Sequence, residues 1–389
     1  MHSKNGQKGL LMWYKRYYED QFDDYLTPGK VFVLYGPRRV GKTSLIQHFL
    51  SSYNGAYFIG SGEDLILGEL FGSQDIRRLH SAFAKYSLVI IDEGQYIPNI
   101  GLGLKLLVDN RPDLKVIASG SSSFELANKL GEPLTGRQRV GILFPLSLLE
   151  LDSAFGGAGI LLRLQEFMRF GTYPEILNIQ SEQDRMEYLI SLRDSYLFKD
   201  LLILENVKSA SLLFNLLKLL AFQIGKEVSL SELSRSLGIA KHTVERYLDL
   251  LEKVFVLKKV SGFSRNLRKE VAKTCRYYFW DNGIRNAVIN NFSPLDSRSD
   301  TGMLWENLLF IERLKRNSYK RHFANYYFWR TYDRQEIDFV EEYNGELWGY
   351  EFKWSDRPAK APKAWSQTYP EAHFETIHRG NFLSFVTQK

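Results

Sequence analysis

Eight residues near the start of the chain, "GPRRVGKT" from Gly36 to Thr43, limit its fold more than any other stretch. They fit the pattern G-x-x-x-x-G-K-[ST] at every fixed position. Glycines at both ends let the backbone turn tightly, so that successive N–H groups face one anion. A β-type run, "VFVLYG" (31–36), leads into the loop and a helical segment, "TSLIQHFLSS", leads out of it. The positive end of that helix adds to the attraction for phosphate. A chance glycine turn would lack this strand–loop–helix setting. The expected phosphate contacts run through Gly36, Pro37, Arg38, Arg39, Val40, Gly41, Lys42, Thr43 and Ser44. Lys42 is expected to reach the β- and γ-phosphates of ATP, and the Thr43 hydroxyl to bind Mg²⁺.

Four more apolar runs follow: "GAYFIG" (55–60), "YSLVIIDE" (86–93), "LKVIASGSS" (114–122) and "RVGILFPL" (139–146). Apolar strands alternating with helices argue for an α/β fold with a parallel sheet covered on both faces. "SLVIIDE" carries an acidic pair to a strand end. Asp92 is expected to hold Mg²⁺, and Glu93 to orient the attacking water. Alone, such a pair reads as surface acids; the phosphate loop upstream changes that. In "ASGSSS", Ser119 and Ser121 are both candidates to touch the γ-phosphate, and spacing does not choose between them. Serines at a strand end also serve as turn formers. "LTGRQRV" offers Arg137 and Arg139. Either fits an arginine finger acting on a neighbouring subunit, and either fits an ordinary surface arginine.

The chain has 389 residues, enough for two or three domains. A single cysteine, Cys275, excludes an internal disulfide and a zinc site built on cysteines. The greasiest run, "LLFNLLKLLAF", is interrupted by Lys218, and the N-terminus lacks the apolar stretch of a signal peptide. A cytoplasmic chain without a membrane partner is the expectation. The net charge of +6 permits nucleic acid as a partner without requiring it.

Beyond residue 148 the pattern changes. Residues 149–225 place apolar side chains at three- and four-residue spacing, which suits a helical lid over the nucleotide. Residues 226–262 read as a winged helix-turn-helix: Ser229 and Glu232 as a capping box, a turn at Gly238, a second helix "KHTVERYLDLLEK", then the β-type run "VFVLKKV". The second helix would present Lys241, His242, Glu245 and Arg246, and basic residues including Lys258 and Lys259 follow. DNA contact and an internal protein-contact module are both open readings.

The last unit, residues 263–389, begins with the helix "MLWENLLFIERLKR" and continues with strands "YYFWR", "EIDFVEE" and "LWGYEFKW". Residues i and i+2 of a strand share a face, so Glu351 and Lys353 project together near Asp338 of the adjacent strand. Two carboxylates can hold Mg²⁺ while a lysine positions water for attack on a phosphodiester. Glu306 from the helix could complete the metal shell. Glu336 shares the face of Asp338 as a further ligand or a plain surface acid. This order resembles the core of the PD-(D/E)XK nucleases, a fold that also supports binding without cleavage.

Taken in order, "GPRRVGKT", "IIDEGQYIP", "ASGSSSFEL", "LTGR", "FPLSLLEL" and "GTYPEIL" resemble the prokaryotic AAA-type ATPases that carry a C-terminal domain of unknown function. Members usually have a bulky apolar residue in place of Gly94 and a second glycine in place of Thr172. The resemblance covers nearly the whole chain. It implies a P-loop ATPase domain over residues 1–148 and a C-terminal nuclease-like domain; the presence of both in one chain suggests that nucleotide state controls how a DNA-associated C-terminal half meets its partner. The other reading is a nucleotide-dependent switch or scaffold that binds a protein partner, with an inert C-terminal fold; a homo-oligomer is compatible with either.

Overall fold

A computed structural model describes residues 12–120, 134–195, 210–265 and 274–388. The five apolar runs of the N-terminal third form one parallel sheet. Its strands are β1 (Val31–Tyr35), β2 (Tyr57–Ser61), β3 (Leu88–Asp92), β4 (Lys115–Gly120) and β5 (Gln138–Ile142), in the spatial order β2-β3-β4-β1-β5. Every residue of β1 is buried, as a strand covered on both faces demands. Helices α1 (Phe22–Tyr25), α2 (Lys42–Leu50), α3 (Leu65–Gly72), α4 (Ile76–Phe83) and α5 (Ile100–Asn110) belong to this part. Asp64 and Asp75 start α3 and α4 by accepting amide bonds from the first turn of each.

The middle span is helical as expected: α6 (Leu148–Phe170), α7 (Pro174–Asn178), α8 (Glu182–Ser195) and α9 (Ala210–Phe222). Gly156, at φ 64°, breaks α6 into two pieces. These helices also contact the C-terminal half. Asn286 of α12 (Asn282–Ile289) donates to Met168 O and Arg169 O at 3.1 and 2.9 Å, tying α6 to the C-terminal half. On the other side, Tyr188 of α8 lies within electrostatic reach of Arg39 in the phosphate loop; burial pushes this phenol up to about 12, Glu175 adds to the rise and Arg39 opposes it.

A second, mixed sheet of seven strands runs β12-β11-β10-β9-β7-β8-β6. Its members are β6 (Glu227–Val228), β7 (Leu257–Gly262), β8 (Cys275–Phe279), β9 (Asn325–Arg330), β10 (Glu336–Tyr343), β11 (Glu346–Phe352) and β12 (His373–Ile377). Between β6 and β7 lie α10 (Leu230–Leu237), capped by the Ser229 hydroxyl, and α11 (Lys241–Lys253). Strand β7 pairs antiparallel with β8 and parallel with β9, through Ser261↔Tyr327 and Gly262↔Phe328. The boundary expected between residues 262 and 263 therefore falls inside one hydrogen-bonded sheet. Strands β6 and β7, from residues 226–262, and the C-terminal strands form one continuous sheet.

Helix α13 (Thr301–Tyr319) crosses this sheet, and α14 (Lys363–Thr368) and α15 (Phe382–Thr387) complete the C-terminal half. One hydrophobic core runs from β1 through α6 and α13 to β11; a smaller one gathers Trp329, Ile337 and Trp365 on the outer strands. No helix among the described residues is long and apolar enough to cross a membrane.

Candidate functional site

The phosphate loop leaves β1 at Gly36, whose φ is 152°. A Cβ there would sit 2.0 Å from Leu143 O, so the close approach of β1 and β5 admits glycine alone. Arg39 (φ 61°) and Gly41 (φ 91°) then take left-handed conformations that close the loop. Gly41 precedes α2 without a side-chain cap, which leaves the first amides of the helix directed into the loop. Lys42 is buried, and its ammonium donates to Gly36 O and Pro37 O at 2.9 and 2.8 Å. That cation therefore lies along the phosphate-binding turn. Arg38 reaches sideways to Tyr96 Oη at 3.2 Å.

Strand β4 lies between β1 and β3, and the three strand ends meet. Thr43 Oγ1 donates to Asp92 Oδ2 at 2.6 Å. Ser119 Oγ donates to Asp92 Oδ1, and the Glu93 amide reaches the same oxygen at 3.0 Å. Of the two candidate serines, Ser119 thus meets the acidic residue; Ser121 lies outside the described residues. Glu93 adopts a left-handed backbone (φ 51°), uncommon away from glycine and found where a side chain must be aimed. Its Oε2 accepts from Gln95 Nε2 at 2.5 Å, and Gln95 is itself buried. Gln95 was not legible as a site residue. Its only signal was its place two residues after the acidic pair.

Arg137 is not near this chain's loop. It precedes β5 at the N-terminal end, where Val31 N donates to its carbonyl, and its guanidinium pairs with Asp109 of α5. The phosphate loop lies at the opposite, C-terminal end of the same parallel strands.

The arginine that does hold the loop is Arg16, which no spacing marked. It is 3 % exposed. Its guanidinium donates to Val40 O in the loop at 2.5 Å, to Phe144 O at 2.7 Å and to Glu150 Oε1 of α6 at 2.9 Å. The Tyr319 hydroxyl, at the end of α13, receives the amide of Phe144 at 3.3 Å and lies 3.5 Å from Arg16. One turn and more earlier on the same helix, Glu312 accepts from Leu148 N, the first amide of α6, at 2.5 Å. Helix α13 therefore caps α6 and touches the clamp on the loop.

The same helix carries Glu306 about 20 Å away along its axis, at 1.5 Å per residue. There the second candidate cluster is found. Lys353, just past the end of β11, donates Nζ to Glu351 Oε1 at 2.5 Å. Asp338 is buried, and its Oδ2 accepts from Phe352 N at 2.9 Å. A β-bulge between Ile337 and Val340 interrupts the pairing of β10 with β9, so strict alternation no longer relates Glu336 to Asp338.

Into this cluster comes a group absent from the sequence reading, Arg276 of β8. Its guanidinium lies 3.1 Å from Glu336 and 3.7 Å from Glu306, stacked 4.4 Å over Phe328. Tyr278 Oη donates to Glu306 Oε1 at 2.8 Å. Burial, then Glu306 and Glu351, push the Asp338 carboxyl well above its usual range, and burial pushes Glu306 up to about 7. Among the described residues no group of three or more Asp, Glu, His or Cys is arranged to hold a metal ion. Glu306 and Glu336 share the Arg276 guanidinium, while Glu351 is held by Lys353.

A raised carboxyl has a stability consequence of definite sign. The folded chain binds the Glu306 proton more tightly than the unfolded chain does. The resulting stabilisation is complete below its ordinary value of 4.5 and is lost as pH rises to about 7. Urea unfolding at a series of pH values from 5 to 8 should show stability falling through that window, and Glu306→Gln should flatten the slope. An unchanged slope in the variant would contradict this account of the cluster.

Comparison with known proteins agrees with the loop geometry. Residues 28–151 match a family model described as an AAA domain. Residues 161–295 and 301–380 match two models described as domains of unknown function (DUF8612 and DUF4143). An uncharacterized protein of Mycobacterium tuberculosis is 27% identical over 337 residues, covering 85% of this chain and 71% of its own length. One from Methanocaldococcus jannaschii is 25% identical over 339 residues, covering 81% and 73%. Among solved structures, the Walker-type ATPase of Pyrococcus abyssi aligns at TM-score 0.46 with 18% identity, over 70% of this chain and 94% of that one. The strand–loop–helix geometry of the N-terminal part is that of a P-loop, in agreement with the match of residues 28–151 to an AAA-domain model.

Proposed function

We propose that the chain binds ATP with Mg²⁺ and hydrolyses it, and that its nucleotide state reaches the C-terminal half through α13. The observation that supports this most is the 2.6 Å bond from Thr43 to Asp92, which joins the phosphate loop to the acidic strand end. Hydroxyl and carboxylate oxygens are the donor types magnesium prefers. When bound, the metal would neutralise charge on the phosphate oxygens. The loop amides and Lys42 would hold the phosphates, Glu93 would orient water, and Gln95 would hold Glu93 in position. Arg137 enters this scheme only through a neighbouring copy of the chain.

For the C-terminal half we place nucleic-acid contact on α11 and β7, where Lys241, His242, Arg246 and Lys259 are exposed. Lys258 and Lys253 are less available, since they pair with Glu252 at 2.8 Å and Asp249 at 2.6 Å. Duplex DNA titrated at rising salt should lose affinity steadily, with Lys241→Glu plus Arg246→Glu reducing the salt slope by about two. DNA affinity should also differ between ADP and a non-hydrolysable ATP analogue, and Tyr319→Phe should shrink that difference. Equal affinities in both nucleotide states would contradict the coupling.

A second reading has one observation in its favour. Arg276 pairs with Glu336 at 3.1 Å and lies 3.7 Å from Glu306 in the acidic cluster, which suits a C-terminal half that binds without cutting. Phosphodiester cleavage by the wild type, abolished in Lys353→Ala, would count against that reading.

A further inference from the structure

Strand β5 is the edge of the parallel sheet among the described residues, and a groove runs beside it. The groove encloses about 830 Å³ between β5, the α11–β7 turn and the end of α13. Its floor is aromatic, with Tyr18, Phe144, Phe255 and Trp280. At its mouth Val140 is 45 % exposed and Phe323 84 %. Its charged lining is Arg139, Lys258 and Arg321 against a single carboxylate, Glu252, with His322 beside them. Glu252 is engaged by Lys258 at 2.8 Å, and the Arg321 guanidinium lies 4.5 Å over the Tyr25 ring. Arg139 makes no ion pair among the described residues. The groove is therefore apolar within and positive at its rim.

The main chain adds a directional feature. Val31 N donates to Arg137 O, and Leu143 N donates to Tyr35 O. With the parallel register Val33↔Val140, alternation turns the backbone of residues 137, 139, 141 and 143 toward β1. The N–H and C=O of residues 138, 140 and 142 then face outward. At Ile142 both outward groups are met by the Tyr18 hydroxyl, at 2.9 Å from the amide and 3.4 Å from the carbonyl. At Val140 they open onto the groove. An exposed edge of this kind is a template for one more strand.

We propose that this groove is a docking site for an extended, acidic segment of a partner protein, which adds as a strand to β5. Main-chain bonds at Val140 fix its direction, alternate apolar side chains enter the aromatic floor, and its carboxylates meet Arg139 and Arg321. The Tyr18 hydroxyl ends the pairing at Ile142. Charge complementarity selects an acidic segment over a basic one.

The test uses a fluorescein-labelled heptapeptide that alternates aspartate with valine and phenylalanine, and an analogue with lysine for aspartate. Fluorescence anisotropy with the full-length chain should show saturable binding of the acidic peptide alone. Val140→Pro removes an outward amide and no bond to β1, and should weaken binding about tenfold or more. Arg139→Glu changes only the rim, and should weaken the acidic peptide and favour the lysine peptide by about tenfold each. Absence of saturable binding, binding unchanged in both variants, or equal binding of the two peptides overturns the proposal. So does wild-type self-association, seen by sedimentation and blocked by Val140→Pro, because the occupant would then be a second copy.

Discussion

Replacing Glu93 by glutamine is expected to lower ATP hydrolysis by about 10²–10⁴-fold, the usual weight of a positioned acid–base group. ATP affinity should stay within about threefold of wild type, because the lost interaction is made in the transition state. The structure gives three reasons. The strained backbone at Glu93 aims its side chain out of the strand end, the Glu93 amide is tied to Asp92, and the buried Gln95 amide holds one carboxylate oxygen at 2.5 Å. Glutamine keeps the shape and an acceptor for Gln95 but cannot take a proton from water. Gln95→Ala should lower turnover less, with affinity again preserved, since Gln95 acts through Glu93. Phosphate release under saturating ATP, read beside calorimetric binding, separates the two effects. Full turnover in Glu93→Gln would move the water-orienting role elsewhere.

Gly36→Ala is expected to cost about 3–5 kcal/mol, from backbone strain and an overpacked contact together. The added Cβ would meet Leu143 O at 2.0 Å, and that atom is main chain, which cannot swing aside. Leu143 also donates the last bond to β1, at Tyr35 O and 2.8 Å, so relief of the clash would pull β5 from the sheet. Both a lowered melting temperature and lost nucleotide binding should follow. Gly68→Ala is the matched control. It lies inside α3 with open space where its Cβ would go, and should be neutral or stabilising by up to about 1 kcal/mol. Equal melting temperatures for the two variants would contradict the close approach of β1 and β5.

The parts of this molecule that sequence revealed are those carried by local pattern. The five strands of the parallel sheet and the glycine turn declare themselves through apolar runs or fixed spacing, and so does the meeting of Thr43 with Asp92. The C-terminal strands likewise fall close to where alternation put them. What escaped was set by distant partners. Arg16 and Val40 are 24 residues apart, and Arg16 and Tyr319 are 303 apart, so no window of sequence contains the clamp. Arg276 lies on β8, outside the three strands that seemed to make up the acidic cluster, and only the seven-stranded sheet brings it in. A bulge at Asp338 altered a face that strict alternation had assigned. The contact of Ser119 with Asp92 depends on β4 lying beside β3, an order that the chain order of the strands does not reveal.

Arg16 hydrogen-bonds Val40 O in the phosphate loop and lies 3.5 Å from the Tyr319 hydroxyl at the end of α13, so the loop and α13 meet at one side chain. Phosphate-binding loops report on their ligand through small changes in main-chain position, and Val40 O is one of the atoms Arg16 grips. Tyr319 and Glu312 place the end of α13 against the same clamp and against α6, while Glu306 sits on α13 in the acidic cluster. A shift at Val40 therefore has a packed, hydrogen-bonded route to the C-terminal sheet. Under the proposed coupling, α13 would carry that shift, and substitutions at Tyr319 and Glu306 test both of its ends.

Isothermal calorimetry of ATP against the intact chain, with and without Mg²⁺, tests the central claim most directly. The account predicts saturable heat at one site per chain, and binding about tenfold weaker or more when Mg²⁺ is withheld or when Thr43 is replaced by alanine. A folded protein that gives no heat with Mg²⁺ and ATP, or a Thr43→Ala, Asp92→Ala double variant that binds as tightly as wild type, would contradict it.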